Sequence, residues 1–523
     1  MRKNSPVLPR DSVSEPFFEA TAPSAGTRRL LLISYHFPPS SAAGALRWQK
    51  FAIHAAEREW GLDVVTLDAK DLTRPDTGRL AELPAGTRVF GVREPSLLLD
   101  RFENVAWFTL KRLLGLAKYR TARPAPGLPS PSGALPVDSR HRDELLGQRV
   151  RSPEELARAF HSWRFHAQDR NWALRAAKLA RLIFQPGIHR AIVTCGPPHM
   201  VHMGGRRIAA GSRVPHIIDM RDPWSLVERL PAGAASPVAL RLAERHERTA
   251  VRRAALVVAN TEPARRALQE RYPEHAAKII AVMNGYDEEQ VPAVAGGVRF
   301  SLAYAGTIYL DRNPTVLFRA AARLIREFRL APHEFGIDLK GSVRSFNGMT
   351  VASIAEAEGI GLFVHTHAPG PRTEALELLA SATMLISLPQ DSDMAIPSKI
   401  FEYMQFPAWI LAFATPESAT GLALRGSGAD VVAPDDVDAT YAVLRKRFLQ
   451  FRDGEQASPA EPGGPLSRRA QSCILFDELE RHLARSAGKT KSAERASAEL
   501  PRSGATLEHP PVRDAAGSGA QPV

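Results

Sequence analysis

From Arg28 to Phe451 the chain repeats one pattern: a short apolar run, a loop of small or turn-forming residues, then a stretch with apolar positions every three or four residues. Runs that are apolar throughout read as strands covered on both faces, and the longer periodic stretches read as helices laid against them. The first unit is Arg28–Tyr35 as a strand, Pro38-Pro39 and the small-residue loop Ser40–Gly44, a helix over Ala45–Glu59 and a strand over Gly61–Leu67. That order is a βαβ unit. A helix through Asp169–Leu174 and strands at Ala191–Cys195, Pro215–Met220, Ala254–Asn260 and Ile279–Met283 continue the series. The turn pair Asn284-Gly285 and then Gly296-Gly297 interrupt it.

A second series follows. Strands are predicted at Phe300–Ala305, Gly336–Lys340, Leu362–His365, Ala382–Leu388 and Trp409–Phe413, with helices at Pro314–Phe328, Glu374–Ala380 and Thr440–Phe451. Two consecutive alternating series predict an α/β chain with two doubly wound, Rossmann-like domains facing a cleft. The expected domains are 28–290 and 298–455. A tail at 1–27 precedes them, a linker and terminal helix at 456–485 follow, and 486–523 is expected to be disordered.

Residues 95–170 fit the alternation poorly. Leu97–Arg120 interleaves Leu97, Leu98, Phe102, Trp107 and Phe108 with Arg101, Lys111, Arg112 and Lys118, the pattern of a basic amphipathic helix or helix pair. Two placements fit it: apolar face down on an anionic membrane, or packed on the N-terminal domain. Ala122–Asp138 is rich in Pro, Gly and Ser and reads as a loop.

Composition narrows the partners. A formal charge of +12 over 523 residues is compatible with nucleic acid, anionic lipid or phosphorylated substrates. Zinc-finger spacing and aromatic RNA-binding signatures are absent from the sequence, so no nucleic-acid partner is expected. Two distant cysteines, Cys195 and Cys473, fit a reducing compartment. No run of about 18 apolar residues is found, and the first 26 residues lack the apolar core of a secretory signal. The expectation is a cytoplasmic protein, peripheral on the inner face of the cytoplasmic membrane if the basic stretch binds lipid.

The most chemically suggestive window is Ala395–Met404, which follows the predicted strand Ala382–Leu388. Pro397 suits the first turn of a helix, because its missing N–H needs no partner there. Such a helix start at the carboxyl edge of a parallel sheet attracts phosphate. Lys399 adds a cation in the first turn, beside Ser398. Glu402, one turn on, can accept hydrogen bonds from sugar hydroxyls.

Other loops fall at strand ends in a fixed order: Thr194–His202, Asp219–Trp224, Asn260–Glu262, Asn284–Asp287, Tyr304–Thr307 with Arg312–Pro314, and then Pro397–Tyr403. As an ordered set they resemble the group 1 glycosyltransferases of the GT-B fold, the bacterial cell-surface polysaccharide type, over roughly Arg28 to Phe451. The resemblance implies transfer of a sugar from a nucleotide-sugar donor, held by the C-terminal domain, to a lipid-linked or saccharide acceptor on the N-terminal domain. It implies retention of configuration, with the leaving phosphate itself guiding the acceptor, and no bound metal or other cofactor.

Carried onto this sequence, the resemblance gives Gly306, Thr307, Arg312, Ser398, Lys399 and Glu402 as donor-binding residues. It gives Asp219 and Asp222, with Arg221, as residues of the acceptor side, and His36 and Gly44 as the rest of that wall; His199 is expected to help shape it. For Asp219 and Asp222 two uses stay open: general acid–base catalysis, or a structural role in which Asp219 caps the next segment and Arg221 pairs with a carboxylate. Many members carry a further glutamate eight positions before the equivalent of Glu402; here that position is Met394. That departure leaves room for a silent nucleotide-sugar-binding or assembly protein. A nucleotide-sugar epimerase of the same shape is the other enzymatic alternative.

Overall fold

The computed structural model describes residues 15–20, 28–73, 75–95, 153–212, 214–225, 236–287, 292, 298–308, 312–389, 392–459 and 464–498. The stretch Leu97–Arg120 and the loop Ala122–Asp138 lie outside them. Contacts divide the chain into two compact units, one reaching to Asp477 and one starting at Glu478. Both large sheets belong to the first.

The first sheet holds β1 (Phe18–Glu19), β2 (Arg29–Ser34), β3 (Gly61–Leu67), β4 (Thr87–Val92), β5 (His189–Gly196), β6 (His216–Met220), β7 (Leu256–Ala259) and β8 (Ile279–Ala281), in the order β1-β4-β3-β2-β5-β6-β7-β8. The β1–β4 pair is antiparallel, and the other pairs are parallel. Leu30–Ile33 in β2 are all 0% exposed, as a central strand covered on both faces requires. Phe18–Glu19 lie inside the stretch expected to be a tail; Phe18 instead pairs with Val89 and Glu19 with Arg88.

The second sheet is parallel throughout. Its strands are β9 (Phe300–Thr307), β10 (Phe335–Ser342), β13 (Val364–His367), β14 (Met384–Ser387), β15 (Trp409–Phe413) and β16 (Asp430–Val432), ordered β13-β10-β9-β14-β15-β16. A small hairpin, β11 (Ser345–Phe346) and β12 (Met349–Thr350), follows β10. Apolar clusters around Phe300, Phe318 and Leu411 on one side and Ile400, Phe401 and Ile410 on the other fill the second lobe.

Strand order places the crevices. In the first sheet the chain runs outward from β2 through β3 to β4, then returns to the other side of β2 with β5. In the second it runs from β9 to β10 and β13, then returns beside β9 with β14. Doubly wound sheets open at these reversals, beyond the carboxyl ends of the strands. The loops there are Tyr35–Ala42 and Pro197–Met200 in the first lobe, and residues 308, 312–314, 388–389 and 392–397 in the second.

Among the described residues, specific hydrogen bonds tie the lobes. Thr261 donates its hydroxyl to the Met394 carbonyl at 2.7 Å. After the second sheet the chain returns to the first through the helix Arg468–Ala498. Arg468 donates to Asp287 at 2.6 Å, Gln471 accepts from the Met283 N–H at 2.6 Å, and Arg469 pairs with Glu57 at 2.9 Å. The helix continues past Ser486, where disorder was expected, as far as Ala498. Among the described residues no helix is long and apolar enough to cross a membrane.

Candidate functional site

On the first lobe the helix Ala43–Glu57 starts in the crevice. It buries Ala45, Trp48, Phe51, Ala52 and Ala55, an i, i+3/i+4 stripe, against the sheet. Arg47 points inward from it and is 2% exposed. Its guanidinium binds Asp219 twice, Nε to Oδ2 at 2.8 Å and Nη2 to Oδ1 at 3.0 Å. It also donates to Asn260 Oδ1 at 3.3 Å, Asn284 Oδ1 at 3.2 Å and the Val282 carbonyl at 2.9 Å. Trp48 Nε1 donates to Asp219 Oδ2 at 2.8 Å.

This geometry makes Asp219 the counter-ion of Arg47. The residue is 0% exposed, and both its oxygens are held by charge-assisted hydrogen bonds. Both oxygens are thereby engaged by Arg47 and one of them also by Trp48. Arg47, which the sequence reading missed, gathers the ends of β6, β7 and β8 onto one helix. The polar ends of three loops, Asp219, Asn260 and Asn284, therefore serve one buried cation.

Asp222 lies at the crevice edge, its side chain 35% exposed. Arg221 Nη2 stands 3.7 Å from Asp222 Oδ2. The Arg221 guanidinium lies across Gly44: a Cβ there would fall 1.3 Å from Nη1. Any side chain at position 44 would expel it. His36 is beside this pair; burial, with the Arg221 charge, holds its imidazole down to about 4. The structure thus brings His36, Gly44, Arg221 and Asp222 together.

His199 follows β5 and stacks on Trp224, with ring centroids 5.1 Å apart and planes at 18°. Burial holds its imidazole down to about 3. Behind it lie His202, Thr194 and His216. Among the described residues no group of three or more His, Cys, Asp or Glu side chains is placed to hold a metal ion.

On the second lobe β9 ends at Gly306 and Thr307. Gly306 has φ +149° and faces Gly341 of β10 across the parallel register. A Cβ on Gly341 would sit 2.2 Å from the Gly306 carbonyl oxygen. Arg312 Nη1 donates to the Thr307 carbonyl at 2.9 Å, and the Tyr304 hydroxyl donates to the same oxygen at 2.8 Å.

Across the crevice the helix Ser398–Tyr403 begins one residue later than the sequence suggested. Pro397 is the flanking residue, and no side chain caps the helix. With six residues it carries little dipole, so the cations must dominate any anion binding there. Lys399 Nζ is buried with no hydrogen-bond partner among the described residues. It lies 3.6 Å from the centroid of the Tyr304 ring, and a Cβ on Gly306 would be 2.6 Å from it. Burial and then the Arg312 charge hold its pKa well below the ordinary value. Ser398 is exposed at the helix start. Glu402, 32% exposed, accepts from Arg372 at 2.9 Å. Gly306 and Thr307 end β9, Arg312 lies in the segment after it, and Lys399 and Glu402 lie on the helix that flanks the same crevice.

Met394 sits in the preceding loop. It packs against the first-lobe cluster that contains Met220, Trp224 and Ala264. Its carbonyl is the one held by Thr261, whose hydroxyl also caps the helix Glu262–Arg271.

No family model and no curated protein matches the sequence. Solved structures are similar in fold. A glycosyltransferase from Rickettsia africae ESF-5 aligns with TM-score 0.50 and 11% identity, covering 89% of this chain and 98% of that one. A UDP-forming α,α-trehalose-phosphate synthase from Burkholderia xenovorans aligns with TM-score 0.50 and 12% identity, covering 87% and 99%. Strand order, switch points and this likeness agree on one architecture: two Rossmann-like, doubly wound lobes facing a cleft, the GT-B fold.

Proposed function

We propose that this chain is a glycosyltransferase. The second lobe holds a nucleotide sugar, and the first lobe presents an acceptor that is a lipid-linked or polysaccharide precursor. Transfer proceeds with retention. The observation that carries the reading is the Lys399 amine, buried without a hydrogen-bond partner among the described residues and aimed at the Gly306 backbone. A buried amine without a hydrogen-bond partner is costly, and a diphosphate at the end of β9 would supply one. Arg312 is the second cation there, and Glu402 is available to ribose hydroxyls.

As the glycosidic bond breaks, negative charge grows on the leaving diphosphate, where fixed cations stabilise it most. With Asp219 committed to Arg47, Asp222 is the acceptor-side carboxylate. The UDP-forming activity of the Burkholderia synthase makes UDP-sugars the first donors to test. The protein is proposed to work at the cytoplasmic face of the membrane.

The experiment is a screen of nucleotide sugars for binding, hydrolysis and transfer, run on wild type and Lys399→Ala. Donor binding that weakens in Lys399→Ala, with turnover in wild type, is expected. Equal donor affinity in both proteins removes the donor-site assignment. Binding without turnover for every donor favours a silent nucleotide-sugar binder, the reading that Met394 keeps open.

A further inference from the structure

Behind His199 a chain of polar groups runs into the first lobe. His199 Nδ1 faces His202 Nε2 at 3.5 Å, His202 Nδ1 faces Thr194 Oγ1 at 2.8 Å, and the same hydroxyl faces His216 Nε2 at 2.9 Å. His202 and Thr194 are 0% exposed and His216 is 3% exposed. Two glycines make the room. A Cβ on Gly196 would lie 2.6 Å from His199 Nδ1 and 3.1 Å from His202 Nε2, and one on Gly205 would lie 2.5 Å from His216 Nε2.

The chain has a direction. His216 Nδ1 is buried with no hydrogen-bond partner among the described residues. An orphaned buried N–H is rarer and costlier than an unsatisfied lone pair, so the His216 proton belongs on Nε2, where it donates to Thr194 Oγ1. The threonine hydroxyl then has one proton to place. His202 Nδ1 is 2.8 Å away, and the alternative acceptor, the Ile217 carbonyl, is 3.5 Å away. Hydrogen-bond strength falls steeply over that range, so the proton goes to His202 Nδ1. His202 therefore carries its own proton on Nε2, facing His199 Nδ1 across 3.5 Å; that contact is long for a hydrogen bond, but a second N–H on His199 Nδ1 would set proton against proton. A neutral His199 is left protonated on Nε2, the nitrogen that no described side chain engages.

We infer that His199 is locked as a neutral Nε2–H tautomer that donates a hydrogen bond to an oxygen of the substrate, and is not the base that deprotonates the acceptor. Thr194, His202 and His216 are positioning residues that set this polarity from behind, as a second hydrogen-bond partner fixes the tautomer of an imidazole. The burial that lowers the pKa of all three rings keeps them neutral near pH 7. The tautomer assignment stands on the buried chain alone; its use toward a sugar oxygen rests on the transfer reading.

The test is long-range proton–nitrogen NMR on the full chain labelled with ¹⁵N-histidine, at neutral pH, with His199 assigned by its loss in His199→Gln. The expected signature is a protonated Nε2 and an unprotonated Nδ1. A protonated Nδ1, an imidazolium, or averaging between tautomers overturns the inference. Thr194→Ser should keep the wild-type signature and Thr194→Val should lose it; an unchanged signature in a folded Thr194→Val also overturns it. Should that variant fail to fold, the wild-type and Thr194→Ser spectra decide.

Where transfer is found, His199→Gln, which keeps an N–H donor, should retain at least tenfold more activity than His199→Glu, which offers a base. The reverse order overturns the donor role. Absence of transfer in every variant and in wild type refutes the glycosyltransferase reading and leaves the tautomer to be judged by NMR.

Discussion

Arg47 and Asp219 face each other as a bidentate ion pair, 2.8 and 3.0 Å, each side chain 1% exposed. The pair ties the first crevice helix to the end of β6, and the remaining Arg47 donors hold the segments after β7 and β8. Removing one partner of such a pair strands the other charge away from water. Asp219→Asn, which keeps an oxygen for Trp48, is expected to destabilise the fold by about 3–5 kcal/mol. Denaturant unfolding measures it, with nucleotide binding to the folded fraction as control. A variant as stable as wild type that loses only turnover would return Asp219 to catalysis.

Lys399 predicts two effects of opposite sign. Its folded pKa is held below the ordinary 10.5 by burial, so the unfolded chain binds this proton more readily than the folded one. Stability then rises with pH between the lowered folded value and 10.5. Lys399→Met should raise the stability of the ligand-free protein at neutral pH and flatten that rise. The same substitution should weaken nucleoside diphosphate binding by about 1.5–3 kcal/mol, the range for a charged hydrogen bond. Calorimetry in buffers of different ionisation heat should show proton uptake on binding in wild type at alkaline pH and less in the variant. A less stable Lys399→Met with unaltered nucleotide affinity would make the lysine a structural group.

The buried imidazoles make the first lobe sensitive to acid. His199 and His216 are held down to about 3 and His36 to about 4, all chiefly by burial. As pH falls below the ordinary 6.5, the unfolded chain takes up protons that these rings refuse while folded. Stability should therefore fall from that point down toward the folded values, at up to about 1.4 kcal/mol per pH unit for each ring. Melting temperature followed from pH 7 to 4 checks this. His216→Phe should lessen the slope, and a flat profile in wild type would show the rings to be hydrated.

Strands buried on both faces were the most legible part of the sequence. Gly61–Leu67 and Trp409–Phe413 form β3 and β15 with the expected bounds, because a continuous apolar run has few other uses. The strand β4 was missed: Thr87–Val92 mixes Arg88 into its run, and that charge is matched by Asp63 on the neighbouring strand. At the candidate site the sequence marked Gly306 and the segment carrying Lys399, but not the side chains they meet in the fold. Asp219 was marked through the resemblance, while its partner, Arg47, lies 172 positions away. Nothing local marks an arginine as buried. Tyr304 and Thr194 stood in segments the sequence marked, but their contacts with Lys399 and His202 were hidden for the same reason.

Met394 stands where the resemblance calls for a glutamate, and its surroundings argue against restoring one. Its side chain packs on the apolar cluster of Met220, Trp224 and Ala264, and its carbonyl is fixed by Thr261 from the other lobe. A carboxylate there would be desolvated among apolar groups with no partner named by the packing. Met394→Glu is therefore expected to cost about 1–3 kcal/mol of stability and to raise neither nucleotide affinity nor turnover. Met394→Leu, which keeps volume and polarity, should stay within about 1.5 kcal/mol of wild type. Because the same loop leads into Lys399, Thr261→Val should loosen both lobes' hold on it, and hydrogen exchange across 392–397 should accelerate while that at β9 does not. An active, fully stable Met394→Glu would mean that this side chain turns toward the crevice, and would place a sugar-ring contact at position 394 after all.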